Sequence, residues 1–224
     1  MRKALTYDDV LLVPQYSDIR TRKEVDTTSA LDNNIQLKLP IIAAPMDTVT
    51  ESEMAYAMAK EGGLGVIHRY NSINEMATIV RELHSSLLNE GVESPNIAVA
   101  IGVTENFITR AACAYENGAN IVCVDVAHGH HVLVKDAITK LKLEFQNKLH
   151  IMAGNVATLE AFNALSDWGA DSVRCNIGGG SICSTRIKTG HGLPGLQTIF
   201  DCAKSDRPAK IIADGGIRTS GDIV

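Results

Sequence analysis

One cysteine on a glycine-rich loop is the residue best placed to do chemistry in this chain. The stretch Gly178-Gly179-Gly180-Ser181-Ile182-Cys183-Ser184-Thr185-Arg186 follows directly on a β-type run. Three glycines let the backbone approach a ligand and aim successive N–H groups at an anion. A thiol held among amide dipoles and beside Arg186 is placed to ionise and attack an electrophilic carbon, because the thiolate is the reactive form. The same stretch also reads as a turn around a packed cysteine, since lone cysteines are commonly core residues. Other polar residues shift that balance. Met46-Asp47, His68-Arg69, Asp125, Asn155, Ser181 to Cys183 and Asp214-Gly215-Gly216 each fall at or just past the end of an apolar run.

Those runs are the elements that must position them. Strands are expected at Ile41–Met46, Leu64–Arg69, Asn96–Gly102, Asn120–Val126, His150–Val156, Ser172–Ile177 and Lys210–Gly215, on their β-branched content and lack of interior proline. Helical patterns lie between them, at Thr50–Glu61, Ile73–Leu88, Glu105–Asn117, Val132–Phe145, Leu159–Asp167 and Gly195–Ala203, with another starting at Ser220. Thr50-Glu51-Ser52-Glu53 has the spacing of a capping box. Gly62, Gly118 and Gly169 each close a helix and lead into a strand, the position where a left-handed cap is expected. Strict βα alternation means a parallel sheet, either open and doubly wound or closed as a barrel. The polar residues at the strand ends favour the α/β (β/α)8 TIM-type barrel, whose strand ends share one functional face. About seven of the eight strands are legible, so the barrel reads as incomplete.

Size and charge narrow the function classes. The 224 residues fit one domain able to bury a sizeable core, 1–224, with an N-terminal extension over 1–38. A net charge of −5 with no run of Lys or Arg argues against nucleic acid as the main partner. The five cysteines form no CxxC pair and no zinc spacing, which fits free thiols in a reducing cytoplasm. The start, Met1 to Asp9, turns acidic too early for a signal peptide, and no apolar run approaches a membrane span.

With these blocks in order, the chain resembles the IMP dehydrogenase/GMP reductase family along nearly all its length. The resemblance is carried by Leu5 to Pro14, Pro45 to Glu51, Gly62 to His68, Asp125 to His130, Ala153 to Val156, the cysteine loop and Ile212 to Ile217. It implies that Cys183 is the nucleophile that attacks C2 of the purine and forms a covalent thioimidate. Hydride then passes between C2 and a nicotinamide cofactor, NAD or NADP(H). Thr185 is implied to handle a proton or water near the thioimidate. Substrate would be held by Asp214 on the ribose hydroxyls, by the amides of Gly215 and Gly216 with Ser181 at the phosphate, by Met46 packed on the purine, and by Asn155 reaching toward the base or the cysteine. On the cofactor side the resemblance implies Asp125, at the nicotinamide ribose, and Asn176. The carbonyls of Gly178, Gly180 and Cys183 match the family's monovalent cation site, a potassium ion (K+). A homotetramer is implied as well.

The chain departs from the family pattern in places. Cys175-Asn176 stands where Val-Gly is usual, which alters the expected nicotinamide pocket. Gly179 replaces a residue that is often proline and is expected to loosen the loop. Ala44 stands where some members have serine. Ile73 to Pro95 runs straight into the third strand with no CBS pair. By the same resemblance, the eighth strand, the second phosphate loop and the flap with its general base lie beyond the residues present.

Three functions stay open from the residues. Pro45 to Glu51 and Ala127 to His130 resemble dehydrogenases that oxidise IMP to XMP. Thr185 to Gly190, Met152 to Asn155 and the missing CBS pair resemble reductases that convert GMP to IMP and ammonia with NADPH. A non-catalytic nucleotide-binding remnant is the reading from another class. An unrelated flavin barrel leaves Cys183 without a role.

Overall fold

The structure is a computed structural model and describes residues 3–104 and 106–224. Seven parallel strands stand in sequence order in one sheet: β3 (Ile42–Ala43), β4 (Leu64–Ile67), β5 (Ala98–Ile101), β6 (Ile121–Asp125), β7 (His150–Val156), β8 (Ser172–Cys175) and β9 (Lys210–Ala213). Helices α1 (Ser52–Lys60), α2 (Ile73–Asn89), α3 (Phe107–Glu116), α4 (Val132–Phe145) and α5 (Leu159–Trp168) connect successive strands from β3 to β8. Two helices, α6 (Thr185–Thr189) and α7 (Gly195–Cys202), separate β8 from β9, and α8 (Ser220–Ile223) follows. This is the expected βα barrel architecture, curled with seven strands. The helix expected from Glu105 is α3; its expected first residue lies outside the described residues.

Side-chain alternation divides each strand between two cores. Ala98 and Ala100, Ile121 and Cys123, and Met152 point into the barrel. Val99 and Ile101, Val122 and Val124, and Ile151 and Ala153 point outward, under helix residues such as Leu83, Ile138 and Phe162. Fully buried Leu and Ile side chains of this kind each contribute roughly 1.5–3 kcal/mol. The same parity sends Asp125, Arg174 and Asp214 to the inside, at the end where the strands finish.

The opposite end is closed by an element that the sequence reading left inside the N-terminal extension. An antiparallel hairpin, β1 (Ser29–Ala30) with β2 (Gln36–Leu37), drives Leu31, Ile35 and Leu37 into the barrel interior. Its tip is tied down by a chain of hydrogen bonds. Asp32 Oδ1 accepts from the amides of Asn34 and Ile35 at 2.6 and 2.8 Å. Its Oδ2 lies 2.5 Å from His150 Nδ1, and His150 Nε2 lies 2.8 Å from Ser172 Oγ. The order is that of a hydrolytic triad, but Ser172 is fully buried at the start of β8. It is a structural tie.

Helix ends follow the expectation at Gly62, Gly118 and Gly169, with φ of 82°, 110° and 113°. The expected capping box at Thr50 does not form. Glu51 is the N-cap of α1, and the Thr50 hydroxyl instead donates to Ala44 O at 2.6 Å, bracing the turn after β3. Ser72 and Glu75 form a capping box at α2. Among the described residues no helix is long and apolar enough to cross a membrane.

Candidate active site

The strand ends bring four of the expected residues, Asp125, Asn155, Asn176 and Asp214, together with Arg174, a residue not among those expected. Arg174 sits on β8 with its side chain only 10% exposed. Its Nη1 donates to Asp125 Oδ1 at 2.6 Å, and its Nη2 donates to Asp214 Oδ2 at 3.1 Å. One guanidinium therefore spans the ends of β6 and β9. Gly154 on the neighbouring strand makes room for it, since a Cβ there would lie 2.6 Å from Arg174 Cβ. A charged residue inside the apolar run Ser172-Val173-Arg174-Cys175 was the available signal, because buried cations need partners.

Asn155 reaches this cluster rather than the cysteine. Its Nδ2 donates to Asn176 O at 3.0 Å and to Asp214 Oδ2. Both bonds to the Asp214 carboxylate thus fall on Oδ2. Asn176 is buried, with Nδ2 donating to Asp214 O at 2.9 Å and to Gly215 O at 3.2 Å. Asp125 Oδ2 lies 4.0 Å from Arg69 Nε, while His68 is buried and tied to Glu51 at 3.0 Å. Met46 is half-buried in the turn after β3, where its carbonyl accepts from Thr50 N at 2.9 Å.

The cysteine loop leaves β8 and crosses to α6. It is stitched by an isolated bridge between Ile177 and Leu193 and by Cys183 N donating to Gly180 O at 3.1 Å. Cys183 is half-buried, and its Sγ lies 3.3 Å from Thr185 Oγ1. Hydrogen bonds from the Thr185 hydroxyl and amide, opposed by slight burial and helped by the Gly178 amide, hold its thiol below the ordinary value; the charge of Arg186 contributes least. Of the expected influences, amide dipoles and Arg186, the amides of Thr185 and Gly178 thus contribute more than the Arg186 charge. Cys123, inside the barrel, and Cys175, in the outer core, are fully buried by contrast. Burial pushes Cys123 up to about 11, and contact with Cys202 together with burial raises Cys175 further. Ser181 is exposed on the same loop.

The loop abuts the end of β9. A Cβ on Gly215 would lie 3.4 Å from Gly180 Cα, and one on Gly216 would lie 2.9 Å from Gly179 O. Glycine on glycine is what allows this approach. The result is a thiol with a lowered pKa on a loop packed against Gly215 and Gly216, just past Asp214, an arrangement that suits covalent attack on a bound electrophile. Two cavities, of about 510 and 590 Å³, lie elsewhere, one under Leu159 and Gln197 and the other beside Asn71 and Thr78.

A profile described as the IMP dehydrogenase / GMP reductase domain matches residues 4–224. The chain belongs to this family. Its members are oxidoreductases. It is 30% identical to the GMP reductase of Leishmania major over 350 aligned positions, covering 99% of this chain and 71% of that protein. It is 36% identical to the inosine-5'-monophosphate dehydrogenase of Cryptosporidium parvum over 259 positions, covering 99% of this chain and 64% of that protein. The chain therefore spans about two thirds of the length of these relatives. A crystal structure of a cysteine-to-alanine variant of GMP reductase from Trypanosoma brucei superposes with a TM-score of 0.90 at 28% identity, covering 100% of this chain and 78% of that one.

The donor sets fit the groups this family implies. The loop from Ile177 to Ser184 carries neutral oxygens and no charged side chain, which suits a monovalent cation on the carbonyls of Gly178, Gly180 and Cys183. Asp125, oriented by Arg174, retains acceptor capacity for ribose hydroxyls of a dinucleotide.

Proposed function

We propose that this chain is a purine nucleotide oxidoreductase that works at C2 of the base through Cys183, and that it oxidises IMP to XMP with NAD. The observation that carries the reading is the Cys183–Thr185 pair, 3.3 Å apart, on a glycine loop packed against Asp214-Gly215-Gly216. In this reading Asp214 takes the ribose hydroxyls, the Gly215 and Gly216 amides and Ser181 take the phosphate, and Met46 packs on the purine. Asn155 and Arg174 hold the Asp214 carboxylate in place. Asp125 takes the nicotinamide-side ribose, with Asn176 buried beneath. A monovalent cation on the loop carbonyls steadies the cysteine.

The Cys183 thiolate adds to C2, and as hydride leaves C2 the covalent thioimidate forms. A bound nicotinamide cofactor supplies the two-electron acceptor. Water then adds to C2 and Cys183 departs as thiolate, so that IMP, NAD and water give XMP, NADH and a proton. Thr185 holds a proton beside the sulfur in both steps. Pro45 to Glu51 and Ala127 to His130, which resemble dehydrogenases, support this direction.

The second reading is GMP reductase, supported by Thr185 to Gly190 and Met152 to Asn155, which resemble reductases. There the thiolate displaces ammonia from C2 of GMP, and hydride from NADPH displaces the thiolate to give IMP. Self-association fits either direction, since the extended N-terminal segment leaves Leu11 96% exposed with Leu12, Val13 and Tyr16 beside it. A homotetramer in the cytoplasm is the assembly proposed.

Reduced-nicotinamide absorbance in potassium buffer tests the choice. IMP with NAD should raise it, and a fall with GMP and NADPH instead would select the reductase. Silence in both with nucleotide still bound would leave the non-catalytic reading.

A further inference from the structure

We propose that Asn176 is a positioning residue that locks the cysteine loop to the loop after β9, and that Gly179 is glycine because the Asn176 carboxamide occupies its side-chain space. This rests on the reading of Asp214-Gly215-Gly216 as the nucleotide site.

Three observations meet here. First, Asn176 Nδ2 donates to two successive carbonyls of the β9 loop, Asp214 O at 2.9 Å and Gly215 O at 3.2 Å. Those acceptors fix the orientation of the amide, because a flip would set Oδ1 against two carbonyl oxygens. Second, Oδ1 is buried and has no hydrogen-bond partner. A buried acceptor without a donor is a cost, and the two bonds made by Nδ2 are what it is exchanged for. Third, a Cβ on Gly179 would lie 2.1 Å from Asn176 Nδ2 and 2.6 Å from Oδ1. Asn176 is only 4% exposed, so its carboxamide has nowhere to withdraw.

Together these make the two loops one unit. Asn176 precedes the cysteine loop by a single residue, and Asn155 grips its carbonyl from β7 at 3.0 Å. A ligand seated on Asp214 and Gly215 therefore pulls on the same carboxamide that underlies Gly179, and through it on the loop that presents Cys183. The departures from the family pattern at positions 176 and 179 become one exchange. The side chain at 176 fills the space left by glycine at 179, which packs the loop rather than loosening it.

The test is a double-mutant cycle on Cys183 alkylation by iodoacetamide, followed by peptide mapping across pH, with and without IMP or GMP. No positive φ constrains Gly179, and the three atoms nearest a Cβ there all belong to the Asn176 carboxamide, so Gly179→Ala strains that contact first. Gly179→Ala and Asn176→Gly should each raise the pH midpoint of alkylation, slow it about tenfold at neutral pH and weaken nucleotide protection. Adding Gly179→Ala to Asn176→Gly should change the rate less than about twofold, because the clash is gone. Independent effects that multiply in the double variant would overturn the proposal. So would Asn176→Gly with the wild-type midpoint and protection, which decides the matter even where Gly179→Ala does not fold. Absence of nucleotide protection in the wild type would instead refute the nucleotide reading and leave the cycle itself interpretable.

Discussion

Arg174 donates to Asp125 at 2.6 Å across the mouth of the barrel, and this bond fixes one oxygen of that carboxylate. The same guanidinium reaches Asp214 at 3.1 Å. Two carboxylates proposed to hold two different ligands, nucleotide and dinucleotide, are thus oriented by one cation on the strand between them. A planar fork can satisfy both at once, which a lysine ammonium cannot do with the same fixed geometry.

Removing that fork should damage both stability and catalysis. Arg174→Met leaves two inward carboxylates without their cation, at a cost of about 3 kcal/mol. For a chain of this size that is a fall in melting temperature of roughly 6–12 °C. Misplaced carboxylates should lower kcat/KM at least about 100-fold, with Arg174→Lys in between. A variant with wild-type melting and kcat/KM would refute the bridging role.

Thr185 should control how readily Cys183 ionises. Its hydroxyl and amide donate to the thiolate, so the folded-state pKa lies below the ordinary one. Thr185→Val removes the hydroxyl at nearly constant shape, and the pKa should rise. Alkylation of Cys183 should slow at neutral pH and converge with wild type in alkaline solution, where both are thiolates. Identical pH profiles would assign the lowered pKa elsewhere.

The hairpin tie should appear as an acid-sensitive contribution to stability. Burial pushes the Asp32 carboxyl up, but its bond to His150 and those from the Asn34 and Ile35 amides outweigh that and hold it below the usual carboxylate range. A depressed carboxylate stabilises the fold above its unfolded pKa, and that contribution is lost as pH falls through the folded value. Asp32→Asn should cost about 1–3 kcal/mol at neutral pH, with the gap to wild type closing in acid. Urea denaturation at several pH values measures this; a gap that stays constant into acid would show that the charge plays no part.

Much of this fold is visible in the sequence because the barrel strands are short apolar runs, and a helix-ending glycine leads into three of them, β4, β6 and β8. Gly62, Gly118 and Gly169 carry the backbone turns their positions demanded. The hairpin Ser29–Ala30 with Gln36–Leu37 is not visible, since two-residue strands show no alternation. Helix α6 escapes for the same reason of length. At Thr50 a correct local pattern loses to tertiary context, because the hydroxyl finds Ala44 O before it can cap α1. The cysteine loop stands out by its glycines. Arg174 does not, because its meaning depends on partners 49 and 40 residues away.

Cys183→Ala separates binding from chemistry. The thiol adds little to ground-state contacts, so calorimetric affinity for IMP should stay within about tenfold of wild type. A much larger loss of affinity would mean that the loop, and not the sulfur alone, has been disturbed.

The most direct measurement follows reduced-nicotinamide absorbance for wild type and Cys183→Ala side by side, in potassium buffer with IMP and NAD and again with GMP and NADPH. The account predicts turnover of one nucleotide by the wild type and none by the variant. Equal turnover by both proteins would contradict covalent catalysis at Cys183.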